Sequence, residues 1–268
     1  MLDLRAVHRV TALAHARFED ESLPPELSSA AFNRFDRKAY TRDEVEWGLG
    51  AWQARVLDEY RSQVAFTDLL ASMTTAGFAF DLLGVAVRVV RDELRHVELC
   101  RRMINALGGS DVMPGDPQLA NPSHRLHRLD RILNTTVGFL CIGETLSMRL
   151  LSALRSETSD PLAHAVLTTL TRDESIHSRF GFALLEALLP VLSAAQLQRI
   201  REALPDSLRA ANEIVRKSGE GEAEQGSNPF GSMTTKRRLE VFEQSLAKDI
   251  VPPFVQMGLY RSRKAAKR

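Results

Sequence analysis

Two short segments of this chain combine acidic and imidazole side chains at the same spacing. Residues 91–96 are Arg-Asp-Glu-Leu-Arg-His, and residues 172–177 are Arg-Asp-Glu-Ser-Ile-His. In each segment the glutamate and the histidine are three positions apart, so on an α-helix they lie on one face, one turn apart. A carboxylate and an imidazole placed in this way can bind the same metal ion. One such pair is common on helix surfaces, but two copies with the same Arg-Asp prefix indicate a metal site.

The composition is typical of a soluble globular protein. Of the 268 residues, 44% are hydrophobic and 26% are charged, and the formal net charge of +1 gives no general attraction to nucleic acid or membrane. Two cysteines cannot form a disulfide framework, which favours a reducing cytoplasm. We expect no signal peptide, because residues 1–18 are amphipathic, and no membrane span, because no uninterrupted apolar run approaches about 20 residues. The basic residues at 261–268 are expected to form a solvated tail.

The hydrophobic spacing predicts helices throughout. Apolar residues recur every three or four positions along most of the chain, and no useful stretch alternates with period two. Breaker signals such as Gly77, Gly108 and Asp160-Pro161 separate the helices. The predicted helices cover about residues 1–18, 43–75, 79–107, 126–155, 161–189, 194–217 and 234–250. The predicted non-helical or weakly helical stretches are residues 26–41, the connector 108–123 and the loop 218–232.

We therefore expect a single all-α domain over residues 1–268. Its core is a bundle of four long helices within about residues 43–190, arranged as two hairpins that a longer crossover joins. An N-terminal extension covers residues 1–42. Further helices and a tail cover residues 191–268.

The second hairpin provides a test of the metal hypothesis. Residues equidistant from its turn lie at the same height on its two helices, and the midpoint of Glu144 and Glu174 falls within the 157–161 turn. Glu144 is also the only acidic residue over 131–155. Burying a lone carboxylate in an apolar stretch is costly unless a cation compensates it. We therefore expect Glu144 to meet a metal ion together with Glu174.

The first hairpin follows the same rule. The midpoint of Glu59 and Glu93 is residue 76, in the turn between the two helices. Glu59 shares a helix face with apolar residues such as Phe66, so it is expected to point inward. The neighbouring Asp58 fits the spacing almost as well, and the sequence leaves the choice between these two acids open.

The expected metal ligands are four glutamates and two histidines: Glu59, Glu93, His96, Glu144, Glu174 and His177. Four carboxylates can neutralise and bridge two divalent ions, and two imidazoles with several oxygen ligands suit iron or manganese. This set resembles that of the ferritin-like di-iron carboxylate oxygenases and oxidases, in which two helices supply one Glu each and two supply Glu-x-x-His. The resemblance covers about residues 43–190. It implies a ferritin-like four-helix bundle with additional N- and C-terminal helices.

Within this superfamily the first motif is most similar to that of the bacterial multicomponent monooxygenase hydroxylases. The Asp-Glu-Leu-Arg-His segment at 92–96 carries this likeness. In that group the Asp before the ligand Glu hydrogen-bonds to the metal-bound histidine of the opposite helix. The resemblance therefore implies that Asp92 orients His177 and that Asp173 orients His96, which fixes the imidazole tautomers.

Two positions depart from the patterns of particular members, and a third distinguishes the two motifs of this chain. Cys100 stands where ribonucleotide reductase small subunits commonly place a radical tyrosine, so a stable tyrosyl radical is not expected. Leu170 stands where arylamine N-oxygenases have an additional histidine, which counts against that activity. Ile176 of the second motif replaces Arg95 of the first, so the two halves are not equivalent.

The resemblance implies a non-haem di-iron oxidase or oxygenase. Two Fe ions, or an iron–manganese pair, would activate dioxygen to oxidise a small organic substrate, with electrons from a reductase or a ferredoxin-like donor. No catalytic residue is expected beyond the metal ligands. We expect a cytoplasmic monomer or homodimer with no nucleic-acid or membrane partner. Helical spacing from the ligands gives six candidate pocket-lining residues: Phe66, Cys100, Leu140, Cys141, Met148 and Leu170.

Two alternatives remain open. A ferroxidase or iron-storage protein would use the same ligands, although the terminal extensions and the loop at 218–232 exceed what a minimal storage bundle needs. A helical interaction module without a metal would instead leave Glu144 exposed to solvent. The exposure of Glu144 therefore separates the metal hypotheses from the metal-free one.

Overall fold

The computed structural model describes three parts of the chain, which are residues 23–110, 126–217 and 229–261. These residues are mostly helical and include no β-strand, which confirms the predicted all-α class. The predicted helix at 1–18 lies outside the described residues. So do most of the connector at 108–123, most of the loop at 218–232 and all of the basic tail except Arg261.

Four long helices dominate the structure, and the α-helices are numbered in chain order. The N-terminal elements are a 3-10 turn at Pro25–Leu27, the short α1 (Ser29–Asn33) and a 3-10 turn at Arg37–Ala39. The long helices are α2 (Arg42–Thr75), α3 (Phe80–Ala106), α4 (Arg128–Glu157) and α5 (Pro161–Leu188). The C-terminal elements are a 3-10 turn at Leu189–Val191, α6 (Ala194–Lys217), α7 (Thr235–Ser245) and α8 (Val251–Gln256).

Helices α2 to α6 begin and end within two residues of their predicted limits, but two features differ from prediction. The middle of α4 is a π-helical segment, Thr135–Glu144. Hydrophobic spacing does not reveal such a segment, because one wider turn changes the 3.6-residue period only locally. The prediction that the last helix ends at residue 250 was wrong. The chain continues through a second π-helical segment, Leu246–Ile250, into α8, whose first turn contains two prolines and needs no backbone donor there.

Local signals position the ends of the core helices. At the start of α2, Thr41 Oγ1 accepts a hydrogen bond from the Glu44 backbone N–H, and Glu44 accepts one from the Thr41 N–H. At the start of α5, Asp160 accepts a hydrogen bond of 2.7 Å from the Ala163 N–H. The turn after α2 contains Gly77 at a φ of 75°, a conformation that costs a glycine little. These turns hold each hairpin in the register that the sequence predicts.

The four long helices pack as two hairpins, α2 with α3 and α4 with α5, and contacts between α3 and α5 join them into a bundle. Buried apolar residues form two clusters in this bundle. The first apolar cluster includes Phe66, Leu140 and Phe180. The second apolar cluster includes Trp52 and Leu170. On each long helix the buried acidic residues lie along the sequence between residues of the two clusters, so a polar layer crosses the bundle between them.

Helix α5 approaches the π-helical segment of α4 closely at Gly181. A Cβ atom at this position would lie 2.6 Å from Leu140 Cβ and 2.9 Å from the Leu140 carbonyl carbon. Any side chain would therefore push the two helices apart. Gly181 is one turn beyond His177, so the close approach helps to bring Glu144, at the end of the π-helical segment, against α5.

Among the described helices, α4 alone is long and apolar enough to cross a membrane by length and composition. Half of its apolar window is buried inside the protein. The helix also carries the buried carboxylate of Glu144, which packs among charged groups of α3 and α5. These features identify α4 as a core helix of the bundle.

Candidate metal centre

The six predicted ligands meet in the polar layer between the two apolar clusters. Each of them is buried, with at most 6% of its surface exposed. They come from all four long helices: Glu59 from α2, Glu93 and His96 from α3, Glu144 from α4, and Glu174 and His177 from α5. A metal-free interaction module requires Glu144 to be exposed, so its 3% exposure contradicts that alternative.

The ligand atoms form two overlapping groups of four. Within each group the atoms lie within 4.8 Å of one another, which is close enough for one ion to contact all of them. Glu93 and Glu174 belong to both groups. The remaining members are Glu59 and His96 in one group, and Glu144 and His177 in the other. The arrangement can therefore hold two metal ions that share two carboxylates.

His177 shows how each imidazole is oriented. Its Nδ1 faces the carboxylates, at 3.0 Å from Glu93 Oε1, 3.1 Å from Glu174 Oε2 and 3.3 Å from Glu144 Oε2. Its Nε2 lies 3.4 Å from Asp92 Oδ2 on α3. An Nε2–H that donates to Asp92 leaves Nδ1 unprotonated and able to bind a metal ion.

His96 has the corresponding arrangement in the other half. Its Nδ1 lies 3.3 Å from Glu59 Oε2 and 3.7 Å from Glu174 Oε1, and its Nε2 lies 3.4 Å from Asp173 Oδ2. The two imidazole rings are 5.8 Å apart between centroids. The crossed contacts implied by the family resemblance, from each aspartate to the opposite histidine, are both present.

The carboxylates perturb one another's protonation. Burial, with nearby Glu144, raises the pKa of Glu93 to about 7 and raises the pKa of Glu174 well above its usual value. Burial opposes ionisation of Glu144 too, but hydrogen bonds with Glu174 and His177 outweigh it and lower the pKa of Glu144. Burial likewise tends to lower the pKa of His96, yet its carboxylate partners raise it to about 10. Several groups thus hold protons that a divalent cation would displace.

Glu93 provides the clearest indication that a cation belongs here. Both of its carboxylate oxygens are buried, and neither accepts a hydrogen bond of acceptable geometry, although Oε1 lies close to His177 Nδ1. A buried carboxylate without partners is costly, and a bound cation removes that cost. Oxygen-rich ligands with two imidazoles and no thiolate suit iron. The residues therefore fit two iron ions.

The structure also separates the two acids between which the sequence left a choice. Glu59 faces the other candidate ligands, and its Oε2 lies 3.3 Å from His96 Nδ1. The side chain of Asp58 is 71% exposed and forms an ion pair of 2.7 Å with Arg61. Because these two residues are adjacent, they project from α2 about 100° apart, and only Glu59 lies on the inner face.

Sequence reasoning missed the position of Arg95. Its guanidinium donates hydrogen bonds to Asp92 and, at 2.8 Å, to Asp173, and only 11% of the side chain is exposed. One arginine therefore bridges the two aspartates that contact the two histidines. Arg172 also donates to Asp173, at 3.0 Å, but from a side chain that is 61% exposed. The signal in the sequence was the presence of Arg95 in only one motif, and its two partners depend on how α3 packs against α5.

The candidate pocket residues divide between the two sides of the polar layer. The first apolar cluster contains Phe66, Leu140 and Cys141. The second apolar cluster contains Cys100 and Leu170. Met148 is only partly buried and belongs to neither cluster. The Phe66 ring lies 6.4 Å from the His177 imidazole between centroids. Burial, with the neighbouring Glu59 and Glu93 carboxylates, raises the pKa of the Cys100 thiol, so this side chain remains neutral.

Comparison with known families gives one match. A family model described as p-aminobenzoate N-oxygenase AurF matches residues 67–237, which is more than half of the chain. The matched residues include five of the six candidate ligands, and Glu59 lies outside them. No curated protein and no solved structure matches the chain.

Proposed function

Since this chain belongs to the p-aminobenzoate N-oxygenase AurF family, we propose that it oxidises the amino nitrogen of an aromatic amine. Membership makes the chain a di-iron oxygenase that uses dioxygen and a small-molecule substrate. The sequence left open a pair of irons or an iron–manganese pair, and membership in this family supports two irons. The iron-storage alternative has no observation in its favour.

The sequence argument from Leu170 against the arylamine N-oxygenases was wrong about the family. Leu170 is fully buried in the second apolar cluster and supplies no imidazole. The two candidate groups of ligand atoms are nevertheless complete without it. An additional histidine is therefore not needed to assemble the two groups of ligand atoms, and leucine leaves an apolar side chain at that position.

The proposed ligands are the six buried residues of the two overlapping groups. Glu93 and Glu174 are the shared carboxylates, because both groups contain them. Glu59 and His96 complete one site, and the other is completed by Glu144 and His177. Asp92 and Asp173 act through the histidines by holding their Nε2–H groups.

When bound, the two irons bind and reduce dioxygen. The chain holds the six ligands on four helices, so their relative positions depend on the bundle and not on a flexible loop. The apolar clusters on both sides of the polar layer exclude water from the reacting atoms. Phe66 supports this role, because its ring makes edge-to-face contacts with both the His177 imidazole and the Phe139 ring.

The overall reaction needs electrons that the substrate does not supply. Conversion of an amine and dioxygen to a hydroxylamine and water consumes two electrons and two protons. We propose that a reductase or a ferredoxin-like donor provides the electrons, and that the protein acts in the cytoplasm as a monomer or homodimer. The absence of a disulfide among the described residues, where Cys100 and Cys141 are both free, is compatible with that compartment.

The single observation that carries this proposal is the pair of overlapping Glu/His groups in a chain of this family. The first experiment is anaerobic reconstitution with Fe(II), followed by metal analysis and by reaction with 4-aminobenzoate, a chemical reductant and ¹⁸O₂. We expect about two irons per chain and ¹⁸O on the nitrogen of the product, measured by mass spectrometry. The Glu144→Ala protein should retain only about one iron per chain and form no product.

Two outcomes would count against the proposal. Iron binding near two per chain without oxygen on nitrogen, for 4-aminobenzoate and for aniline, would remove the N-oxygenase assignment and leave a di-iron oxygenase of another substrate. Uptake of many more than two irons would favour storage.

A further inference from the structure

The solvent side of α3 and α5 is rich in arginine where these helices carry the two motifs. The helices run antiparallel, because the aspartate of each motif contacts the histidine of the other. Arg91 and Arg172 precede these aspartates at equivalent positions, so they lie on the same side of the helix pair. The arginine face consists of Arg88, Arg91, Arg95, Arg172 and Arg179, of which all but Arg95 are exposed. Because successive helical residues are about 100° apart, its three members on α3 fall within about 60° and its two on α5 within about 20°.

No exposed acidic residue accompanies these arginines on the two helices. Over 84–95 and 168–183 every acidic residue is at most 3% exposed: Asp92, Glu93, Asp173 and Glu174. On α2, by contrast, the exposed Arg61 pairs with the exposed Asp58. The arginine face is therefore positively charged although the whole chain is nearly neutral. Such a face attracts an acidic surface and speeds its approach.

The arginine face also contains exposed apolar side chains. Val87 and Leu94 lie beside the arginines on α3 and are 52% and 44% exposed. Arginine together with apolar residues is typical of the centre of a protein interface. The described N-terminal elements cover only the other end of this helix pair, where Arg102 donates to the Leu27 carbonyl oxygen. A two-fold contact with a second copy would set arginines against arginines, because the same patch meets itself. The face therefore fits a different, acidic protein.

Arg95 connects the arginine face to the candidate metal centre. Its side chain is 11% exposed and donates hydrogen bonds to Asp92 and, at 2.8 Å, to Asp173. Each aspartate in turn lies 3.4 Å from Nε2 of one candidate ligand imidazole. Two short polar contacts thus separate a side chain at the surface from each histidine. Electron transfer slows steeply with distance, so a donor bound at this face is close enough to serve the centre.

We propose that the arginine face docks an acidic electron-carrier protein of the ferredoxin type. This inference rests on the proposed function, because it assigns the docking surface and the charge of the partner that supplies the electrons of that reaction. Two reduced carriers, each giving one electron, convert two Fe(III) into two Fe(II). The complex is expected to be short-lived, since electron-transfer encounters bury less than about 1,200 Å².

The test is equilibrium binding of a plant-type [2Fe–2S] ferredoxin, an acidic protein, to the iron-loaded protein, measured by calorimetry at low and high salt. We expect the affinity to fall by about tenfold or more as salt screens the charges. Exchange of two exposed arginines, Arg91→Glu with Arg179→Glu, should weaken binding at low salt by about tenfold or more. Arg201→Glu on α6 is the matched control, because Arg201 and Arg179 are both exposed and each donates through Nε to a backbone carbonyl oxygen at 3.0 Å.

A kinetic measurement separates docking from damage to the centre. Reduction of the Fe(III) protein by reduced ferredoxin, followed by stopped flow, should slow in the doubly exchanged protein in proportion to the loss of affinity. Reduction by reduced N-methylphenazine, which is small and uncharged, should keep its rate. That unchanged rate also shows that the exchanged protein is folded and holds its iron.

Several outcomes would overturn the inference. They are ferredoxin binding that is absent or independent of salt, equal weakening by Arg201→Glu, and a dimer that the double exchange dissociates in gel filtration. Arginine-dependent reduction by ferredoxin without oxygen on the amine nitrogen would refute the proposed function and leave the inference intact. Oxygenated amine formed with reduced N-methylphenazine, together with ferredoxin binding that ignores the arginines, would do the reverse.

Discussion

The two Asp-Glu-x-x-His segments, on α3 and α5, have the same roles but different support. Each segment supplies one carboxylate that belongs to both groups of ligand atoms and one histidine whose Nδ1 faces the carboxylates. Each also supplies one aspartate that contacts the histidine of the other segment. The difference is the residue before the histidine, Arg95 on α3 and Ile176 on α5. Arg95 reaches both aspartates, so the α3 segment provides a charge that serves both halves.

The two segments supply similar side chains, but both of their aspartates depend on the same arginine, Arg95. Asp173 is fully buried and accepts hydrogen bonds from Arg95 and Arg172. Asp92 accepts from Arg95, and at 3.4 Å from the more exposed Arg88. Loss of Arg95 would leave the two buried aspartates facing each other with only peripheral cations nearby. Symmetry of the ligands therefore coexists with asymmetry of their electrostatic support.

The largest expected effect separates shared from unshared ligands. Glu174→Ala removes a carboxylate that belongs to both groups, so iron per chain should fall from about two toward zero. Glu144→Ala removes a member of one group and should leave about one iron. Metal analysis after anaerobic reconstitution and gel filtration measures both. Equal iron content in the two variants would mean that Glu174 is not shared.

The second prediction concerns the arginine that bridges the two segments. Arg95→Leu should weaken the binding of both irons, by about 10–100-fold, because both aspartates lose their buried partner and hold the histidines less well. Competition with a chelator measures the two affinities. Arg172→Leu is the control and should change them little, since its side chain is mostly exposed. Weakening of one iron only would show that Arg95 supports a single half.

A smaller effect is expected when each aspartate is changed in turn. Asp92→Asn should weaken the iron bound through His177, and Asp173→Asn the iron bound through His96, each by about tenfold. The amide keeps the shape of the side chain but loses the negative charge that stabilises the imidazole N–H contact. Stepwise Fe(II) titrations followed by Mössbauer spectroscopy distinguish the two irons. The crossed assignment fails if both variants perturb the same iron.

The smallest effects are expected at the starts of the two helices, far from the ligands. The N-cap residue of α5 is Asp160, whose side chain caps the helix and also accepts a hydrogen bond of 2.7 Å from Tyr40. The N-cap residue of α3 is Ala79, which provides no side-chain cap. Asp160→Ala should lower the free energy of unfolding by about 1–2 kcal/mol, and Ala79→Ser should raise it by about 0.5–1 kcal/mol. Urea denaturation measures both changes, and iron content should remain at two.

Much of the candidate site followed from helical spacing. The i, i+3 pairs identified Glu93 with His96 and Glu174 with His177, and equidistance from a turn selected Glu144. The structure brings these residues together as predicted, because helix geometry and short turns are local properties of the chain. The sequence favoured Glu59 but left Asp58 open as an alternative, since both fit the spacing and only packing shows which of them faces inward. The π-helical segment was missed because one wider turn changes the helical period only locally, and the continuation of the last helix into α8 was missed because Pro252 and Pro253 were read as its end.

The amino-acid sequence by itself determined that the chain is helical, where its long helices begin and end, and which acids and histidines share a height in the bundle. The tertiary structure decided which carboxylates belong to both candidate groups of ligand atoms, and that Arg95 bridges Asp92 and Asp173. Those features depend on distances between helices that are far apart in sequence. Such distances arise only when the apolar clusters above and below the polar layer pack together.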